Sequence, residues 1–441
     1  MRQGENLSPF LFALFINDIE QFLLQYGCTP IEIPGIDLQI YLKLLIIMYA
    51  DDTVLFANSK ENLQRCLDGL KEYCEKWKLQ TNADKTKVVI FSKQKVKANN
   101  VFRLGDKELE IVDEFKYLGV TFKYNGCFNN NLEVLKEQGN RAMLTVIKNA
   151  RENKLPIDLQ FELFDRMVMP VILYGCEIWG YKNLGTLETL HLKFCKYVMK
   201  LKSATPDVMV YGESGRFKVE YYAKIRMLNF WSSIACGDNN KLSFQMYNIC
   251  KQRYENGLPS SEWIVNLAKM LDSYGINYIP NDELYIKAAV KHMQIHIKNE
   301  YINTWGNQVN NAPKCSILYK HIKVSFEGEY YLTNLPYNLR LAMSSIRTCN
   351  HKLPIEVGRY AGNYKRRQDR ICTKCDSMQR GDELHFILVC QNPRLLELRT
   401  KYISPYYTSE PSMEKLAELF NNRGKKLFKL ARYVYEGLKM Y

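Results

Sequence analysis

The sequence predicts an α+β chain: a first part of short strands and few helices, a long helical remainder, and a small Cys/His-bearing tail. Three observations predict it. Up to about residue 128, short β-rich apolar runs alternate with glycines and paired polar residues. From about residue 130, long amphipathic segments take over, punctuated by Pro156, Pro170, Pro206, Pro259, Pro280 and Pro313. Near the end, Cys372-x2-Cys375-x9-His385-x4-Cys390 has the spacing of four soft ligands around one tetrahedral ion.

Taken in order, Ser8-Pro9 opens a helix that carries Phe10, Leu11, Leu14, Phe22 and Leu23 at helical spacing. Residues 40–50 and 53–57 are two apolar runs around Asp51-Asp52, which predicts a hairpin with the aspartates at its tip. Asn58-Ser59 then caps a helix reaching Trp77, with Leu63, Cys66, Leu67, Leu70 and Cys74 on one face. A short strand over 88–92 and small antiparallel strands over 102–104, 108–112 and 117–122 follow, broken by Gly105 and Gly119. Helices are expected over 132–152, 159–169, 187–201, 221–235 and 284–301, and a last one over 412–439.

The 441 residues carry a formal charge of +14, unevenly spread: residues 1–128 hold 16 Lys/Arg against 17 Asp/Glu, the rest 45 against 30. Such a basic later part suits a polyanionic partner. Most of the thirteen cysteines stand alone in apolar segments, as Cys66, Cys74, Cys195 and Cys250 do, and read as buried thiols in a reducing, intracellular setting. The apolar run 7–16 is followed at once by Asp18 and Glu20 with no small-residue cleavage site, which argues against a signal peptide, and the run 44–48 is far too short to span a bilayer, so no membrane partner is expected.

Adjacent carboxylates on a tight turn repel one another unless hard divalent cations compensate them, the arrangement that two-metal phosphoryl transfer uses. Here Tyr49-Ala50-Asp51-Asp52 is preceded by Arg2-Gln3-Gly4 with Leu7-Ser8-Pro9-Phe10-Leu11-Phe12. It is followed by Trp77-Lys78-Leu79-Gln80-Thr81-Asn82, Lys85-Thr86-Lys87 and Phe115-Lys116-Tyr117-Leu118-Gly119-Val120. This ordered set over residues 2–122 resembles the reverse transcriptases of LINE-type (non-LTR) retrotransposons. The resemblance implies a right-hand polymerase with palm and thumb that extends a DNA primer on an RNA template, with Mg2+ as cofactor and deoxynucleotides as substrates. Asp51 and Asp52 would hold the magnesium, and Lys85 or Lys87 would neutralise the departing pyrophosphate. Gln3, Gly4, Tyr49 and Ala50 would lie against the nucleotide and template, and Tyr117, Leu118 and Gly119 would steady the primer end. The family's further metal-binding aspartate, its fingers and any endonuclease would precede Met1. Asp18, Glu20, Glu32 and Asp37 offer no convincing replacement, so residues 1–441 alone are expected not to polymerise.

Cys372, Cys375, His385 and Cys390 are expected to bind a closed, structural Zn2+, with Leu384, Phe386 and Leu388 as a small core beside it. Arg359, Lys365, Arg366, Arg367, Arg370, Lys374, Arg380, Arg394 and Arg399, interleaved with Tyr360 and Tyr364, are expected to offer cations and rings to RNA or target DNA. The segment 347–360, with His351-Lys352-Leu353-Pro354 and Glu356-Val357-Gly358-Arg359-Tyr360, also resembles the tail of LINE-type open reading frames. His292 and His296 lack a third ligand at matching spacing and read as surface residues, while Trp179, Trp231, Trp263 and Trp305 read as core. The predicted organisation is a partial palm with primer grip over 1–127, a helical thumb over 128–210, a helical connector over 211–312 and the zinc-binding tail over 313–441. The implied setting is nucleus and cytoplasm; the different-class readings are a nucleic-acid-binding module and a decayed retroelement remnant.

Overall fold

The computed structural model describes residues 7–34, 41–95, 100–311, 317–360 and 362–441. The chain divides into two compact units, one of residues 1–131 and 228–290, the other of residues 132–227 and 291–441.

The first unit opens with helices α1 (Ser8–Phe15) and α2 (Ile19–Gln25). Strands β1 (Ile31–Pro34) and β2 (Tyr41–Leu44) form one antiparallel pair, β3 (Ile46–Tyr49) and β4 (Asp52–Leu55) another. Helix α3 (Lys60–Lys76) begins where the sequence places it, because the Ser59 hydroxyl accepts the Asn62 amide and satisfies a free donor of the first turn. It packs two ways. Cys66 and Tyr73 meet Ile19, Leu23, Cys28 and Leu45 on one side, and Leu67 meets Val88, Phe102, Leu104 and Leu109 on the other. Each fully buried large apolar side chain of this kind contributes roughly 1.5–3 kcal/mol, so α3 is the main prop behind the β3–β4 hairpin. Strands β5 (Lys87–Val88), β6 (Phe102–Leu104) and β7 (Lys107–Ile111) form a small sheet, and β8 (Glu114–Tyr117) pairs with β9 (Val120–Lys123).

The second unit is helical among its described residues. Its buried aromatics include Trp179 and Trp305, as the sequence predicts, with Tyr211, Trp305 and Tyr319 in one cluster. The helices Gly185–Met199, Asp207–Ser214 and Tyr337–Arg347 belong to it, as does the tail. Near its centre Arg347, 1% exposed, donates to both carboxylate oxygens of Glu213 at 2.8 and 3.0 Å and lies 2.9 Å from a Glu329 oxygen. Tyr331 adds a hydrogen bond to Glu213 at 2.7 Å. A buried guanidinium shared by two carboxylates is tolerated because the charges are paired and hydrogen-bonded, with Lys323 adding a second cation to Glu329 at 2.5 Å; removing Arg347 would leave Glu213 without a cation.

Four expectations need correction. The opening helix is two, because the chain turns over Ile16–Asp18 and the Asp18 carboxylate accepts the Tyr73 hydroxyl. The first apolar run is two strands, β2 and β3, each paired with a different partner. The sheet is not wholly antiparallel, since β5 runs parallel to β7. The expected last helix over 412–439 is likewise two, Met413–Asn421 and Gly424–Leu438, separated at Asn422-Arg423, with Gly424 at φ +59°.

Candidate functional site

In the β3–β4 hairpin Tyr49 faces Asp52 across the ladder, so the two-residue turn is Ala50-Asp51 and Asp52 is already the first residue of β4. The tip thus lies one residue earlier than the sequence suggests. Ala50 has φ +54°, a conformation that favours glycine and that suits the primed turns of two-residue hairpins. Tyr49 is 64% exposed, and both aspartates are exposed. Neither aspartate forms an ion pair among the described residues, so their oxygens remain available to a hard cation. They do not belong to any group of three close ligand atoms among the described residues. Of the upstream acids, Asp18 is held by Tyr73 and Glu32 lies 3.5 Å from Lys43. Asp37 lies outside the described residues, as do Gln3 and Gly4.

The β8–β9 hairpin has the same plan. Tyr117 faces Val120, and the turn is Leu118-Gly119 with φ +45° and +84°, the two positive values that a type I′ turn requires. A leucine in that first position is strained and holds its apolar side chain partly in solvent. The Tyr117 hydroxyl is buried without a hydrogen-bond partner among the described residues. Burial raises its pKa above the usual phenol value, and the nearby Asp52 carboxylate raises it further. The structure therefore brings Tyr117 into the electrostatic reach of the aspartate turn. Of the two lysines, Lys87 is occupied by Glu110 at 2.8 Å, whereas Lys85 is exposed and forms no ion pair among the described residues. Its turn is set by Asn82, which accepts the Lys85 amide.

The Cys/His tail brings all four predicted residues together: the ligand atoms of Cys372, Cys375, His385 and Cys390 lie within 4.8 Å of one another. The hairpin over 371–380 is closed by an Ile371–Arg380 bridge and by the Cys372 amide donating to Gln379 at 2.8 Å. His385–Val389 is a π-helical turn, whose wider pitch lets the Cys390 amide reach back to the His385 carbonyl at 2.7 Å. The Cys372 and Cys390 sulfurs are 3.9 Å apart, and Cys375 Sγ is 3.3 Å from His385 Nε2. Tetrahedral zinc with Zn–S near 2.3 Å and Zn–N near 2.0–2.1 Å requires edges of about 3.8 and about 3.5 Å, so the set fits that ion. Gln379 Oε1 sits 3.2 Å from His385 Nδ1, which assigns the ring proton to Nδ1 and leaves Nε2 free to ligate. Burial opposes ionisation of Cys375, but hydrogen bonds from Ser377, the backbone and His385 outweigh it and lower its thiol to about 6. Burial pushes the Cys390 thiol up to about 12. Phe386 and Leu388 form the expected small core, joined by Ile387 and, through its hydroxyl on the Phe386 carbonyl at 2.6 Å, by Tyr433.

The basic residues around this cluster are less available than their number suggests. Arg359, Arg366, Arg380 and Arg394 pair with Glu356, Asp369, Asp382 and Glu397 at 2.6–3.0 Å. Arg370 is buried and donates to the Lys365 and Ile355 carbonyls, and Arg399 to those of Ile387 and Cys390. Only Lys365, Arg367 and Lys374 of the nine carry no such tie among the described residues, and the Lys374 ammonium lies over the Tyr441 ring. Segment 347–360 is structural too: besides Arg347, His351 Nε2 meets Glu383 at 3.2 Å, two residues before His385. Sequence reading missed Glu213 and Glu329 altogether: nothing local to Glu213 marks a partner 134 residues away, while Glu329 lies close in sequence to both Lys323 and Arg347. His292 and His296 are exposed with ring centroids 4.2 Å apart and join no third ligand among the described residues. A cavity of about 540 Å³ lined by Phe161, Glu327, Tyr330 and Arg423 gathers none of the predicted site residues.

Comparison with known proteins gives one family match and three relatives. Residues 1–122 match the reverse transcriptase (RNA-dependent DNA polymerase) family. The chain is 24% identical over 214 residues to the RNA-directed DNA polymerase from mobile element jockey of Drosophila melanogaster, covering 46% of this chain and 22% of that protein. It is 32% identical over 173 residues to the retrovirus-related Pol polyprotein from type-1 retrotransposable element R2 of Popillia japonica, covering 37% of this chain and 35% of that protein. It is 26% identical over 187 residues to a probable RNA-directed DNA polymerase from transposon BS of Drosophila melanogaster, covering 40% and 19%. The chain thus spans about a fifth of the length of the jockey relative. No helix among the described residues is long and apolar enough to cross a membrane.

Proposed function

Because this chain is a relative of the reverse transcriptases of non-LTR retrotransposons, we propose that its aspartate turn supplies part of the catalytic metal site of an RNA-directed DNA polymerase. The observation that carries this reading is the exposed, strained Ala50-Asp51 turn with Asp52 beside it, inside the 122 residues that match the family. Asp51 and Asp52 would hold Mg2+, which when bound supplies activation of a primer 3′-hydroxyl and neutralisation of the pyrophosphate. Lys85, free of the ion pair that engages Lys87, is the cation for the departing charge. Tyr117 and the Leu118-Gly119 turn position the primer end, and Gln3, Gly4, Tyr49 and Ala50 face the template and nucleotide. In this reading residues 1–127 are palm, 128–210 thumb, 211–312 connector and 313–441 a tail clamped by structural Zn2+ on Cys372, Cys375, His385 and Cys390. The partners are an RNA template, a DNA primer or nicked target and deoxynucleotides, met in nucleus and cytoplasm.

Among the described residues the two carboxylates have no third ligand nearby, and on this reading residues 1–441 by themselves do not extend a primer. The test is extension of oligo(dT) on poly(rA) with Mg2+ and dTTP, by residues 1–441 alone and by the same residues fused to the upstream polymerase segment of the jockey relative. Extension is expected from the fusion only, falling at least about 1000-fold in Asp51→Asn/Asp52→Asn. Extension that survives that substitution would refute the assignment. Tight RNA binding by a fusion that never extends a primer would favour the nucleic-acid-binding module instead.

A further inference from the structure

We propose that the outward face of the terminal helix Gly424–Leu438 is a sequence-independent binding surface for a nucleic-acid backbone, built from Lys425, Lys429, Arg432 and Lys439 and flanked by Lys426. The proposal is separate from the polymerase reading and does not depend on it.

The helix is sharply two-faced. Leu427, Leu430, Ala431, Tyr433 and Val434 are buried, packed against the helices Tyr337–Arg347 and Pro393–Tyr402. Gly437 allows a close approach, since a Cβ there would fall 2.8 Å from the Phe386 ring beside the Cys/His cluster. The opposite face carries Lys425, Lys429, Arg432 and Lys439, flanked by Lys426 in the first turn, all five exposed. At 100° per residue, Lys425, Lys429, Arg432 and Lys439 fall within about 80° of arc, and Lys426, in the first turn, lies about 60° to one side of it. None of the five forms an ion pair among the described residues, in contrast to the four arginines around the Cys/His cluster that pair with acids. The one acid on this arc, Glu436, accepts the Tyr402 hydroxyl at 2.8 Å. Two rings complete the stripe: Arg432 lies over Phe428 at 5.3 Å and Lys439 over Tyr435 at 4.0 Å, which holds the cations along the surface.

From Lys425 to Lys439 the stripe is about 21 Å long at 1.5 Å per residue. A duplex carries one phosphate charge per about 1.7 Å of axis, hence about twelve over that length. Charge complementarity therefore favours a phosphodiester backbone. An anionic membrane is disfavoured, because a basic helix binds a bilayer by inserting its apolar face, and here that face is already buried in the protein.

The experiment uses residues 1–441, a fluorescein-labelled 20-nucleotide RNA, a 20-base-pair DNA duplex and phosphatidylserine vesicles, at 50–200 mM KCl. Lys425→Gln/Lys429→Gln/Arg432→Gln is expected to weaken RNA or DNA binding at least about tenfold and to reduce the slope of log affinity against log salt by about 2–3. Arg366→Gln/Arg380→Gln/Arg394→Gln removes the same formal charge from paired residues and is expected to change binding less than about threefold. Lys425→Arg/Lys429→Arg should bind like the parent, which separates charge from fold. Equal losses in the two Gln triples, a helix triple that binds like the parent, or a parent that binds the vesicles and neither nucleic acid would each overturn the proposal. Primer extension is not a readout here, so failure of this surface and failure of the polymerase reading remain distinct.

Discussion

The aspartate turn and the Cys/His tail are both candidate ligand sets that begin on a hairpin, and they differ in how close their partners lie. In the tail, four ligands lie within nineteen residues of sequence, and the structure closes them to within 4.8 Å, with Gln379 orienting the histidine. At the aspartate turn, two exposed carboxylates stand on a strained Ala50-Asp51 tip with no third ligand beside them among the described residues. A closed site stabilises the fold that holds it, whereas an open one leaves its ligands free for substrate and metal. On the function proposed above, the difference separates a structural from a catalytic use of metal.

The comparison can be broken first at the tail. Cys372→Ser/Cys375→Ser is expected to take zinc content from one ion per chain to none. Since structural zinc contributes on the order of 10 kcal/mol to small clipped folds, the Pro393–Tyr402 and Gly424–Leu438 helices should then lose hydrogen-exchange protection. Retained zinc or unchanged protection would make the cluster an ordinary core. Next in size is Arg347→Met, which leaves the buried Glu213 without its guanidinium while Glu329 keeps Lys323, and should destabilise the second unit by about 3–5 kcal/mol in urea unfolding. A loss under about 1 kcal/mol would mean that the network is dispensable. At the strained turns the sign reverses. Leu118→Gly should stabilise the chain by about 0.5–1 kcal/mol, because glycine accepts φ +45° without the steric cost that leucine meets. Destabilisation would show that the leucine side chain packs usefully. Smallest is Lys87→Ala, which removes a half-exposed pair with Glu110 and should cost less than about 1 kcal/mol, while Lys85→Ala should leave stability unchanged.

What the sequence revealed and what it hid divide along the same physical line. The Cys/His quartet and the Ser59 cap were legible because each is a local pattern, its spacing set by a turn or a helix end. The hairpin was legible, but its tip was displaced by one residue, since register is fixed by the Tyr49–Asp52 pairing and not by which residues are polar. The parallel β5–β7 pair and the Arg347–Glu213 network join distant residues and leave no local trace. The charge around the tail was misread for a more avoidable reason: Arg366 and Asp369, Arg380 and Asp382, Arg394 and Glu397 stand two or three residues apart, close enough to pair locally. The break at Asn422-Arg423-Gly424 likewise carried a glycine signal.

The central claim is that Asp51 and Asp52 are metal ligands of an incomplete site, and Mn2+ titration of residues 1–441 followed by electron paramagnetic resonance tests it most directly. Weak binding is expected, strengthened at least about tenfold by primer–template and nucleotide, whose phosphates supply the missing oxygens, and lost in Asp51→Asn/Asp52→Asn. Mn2+ binding that this substitution leaves unchanged would contradict the claim.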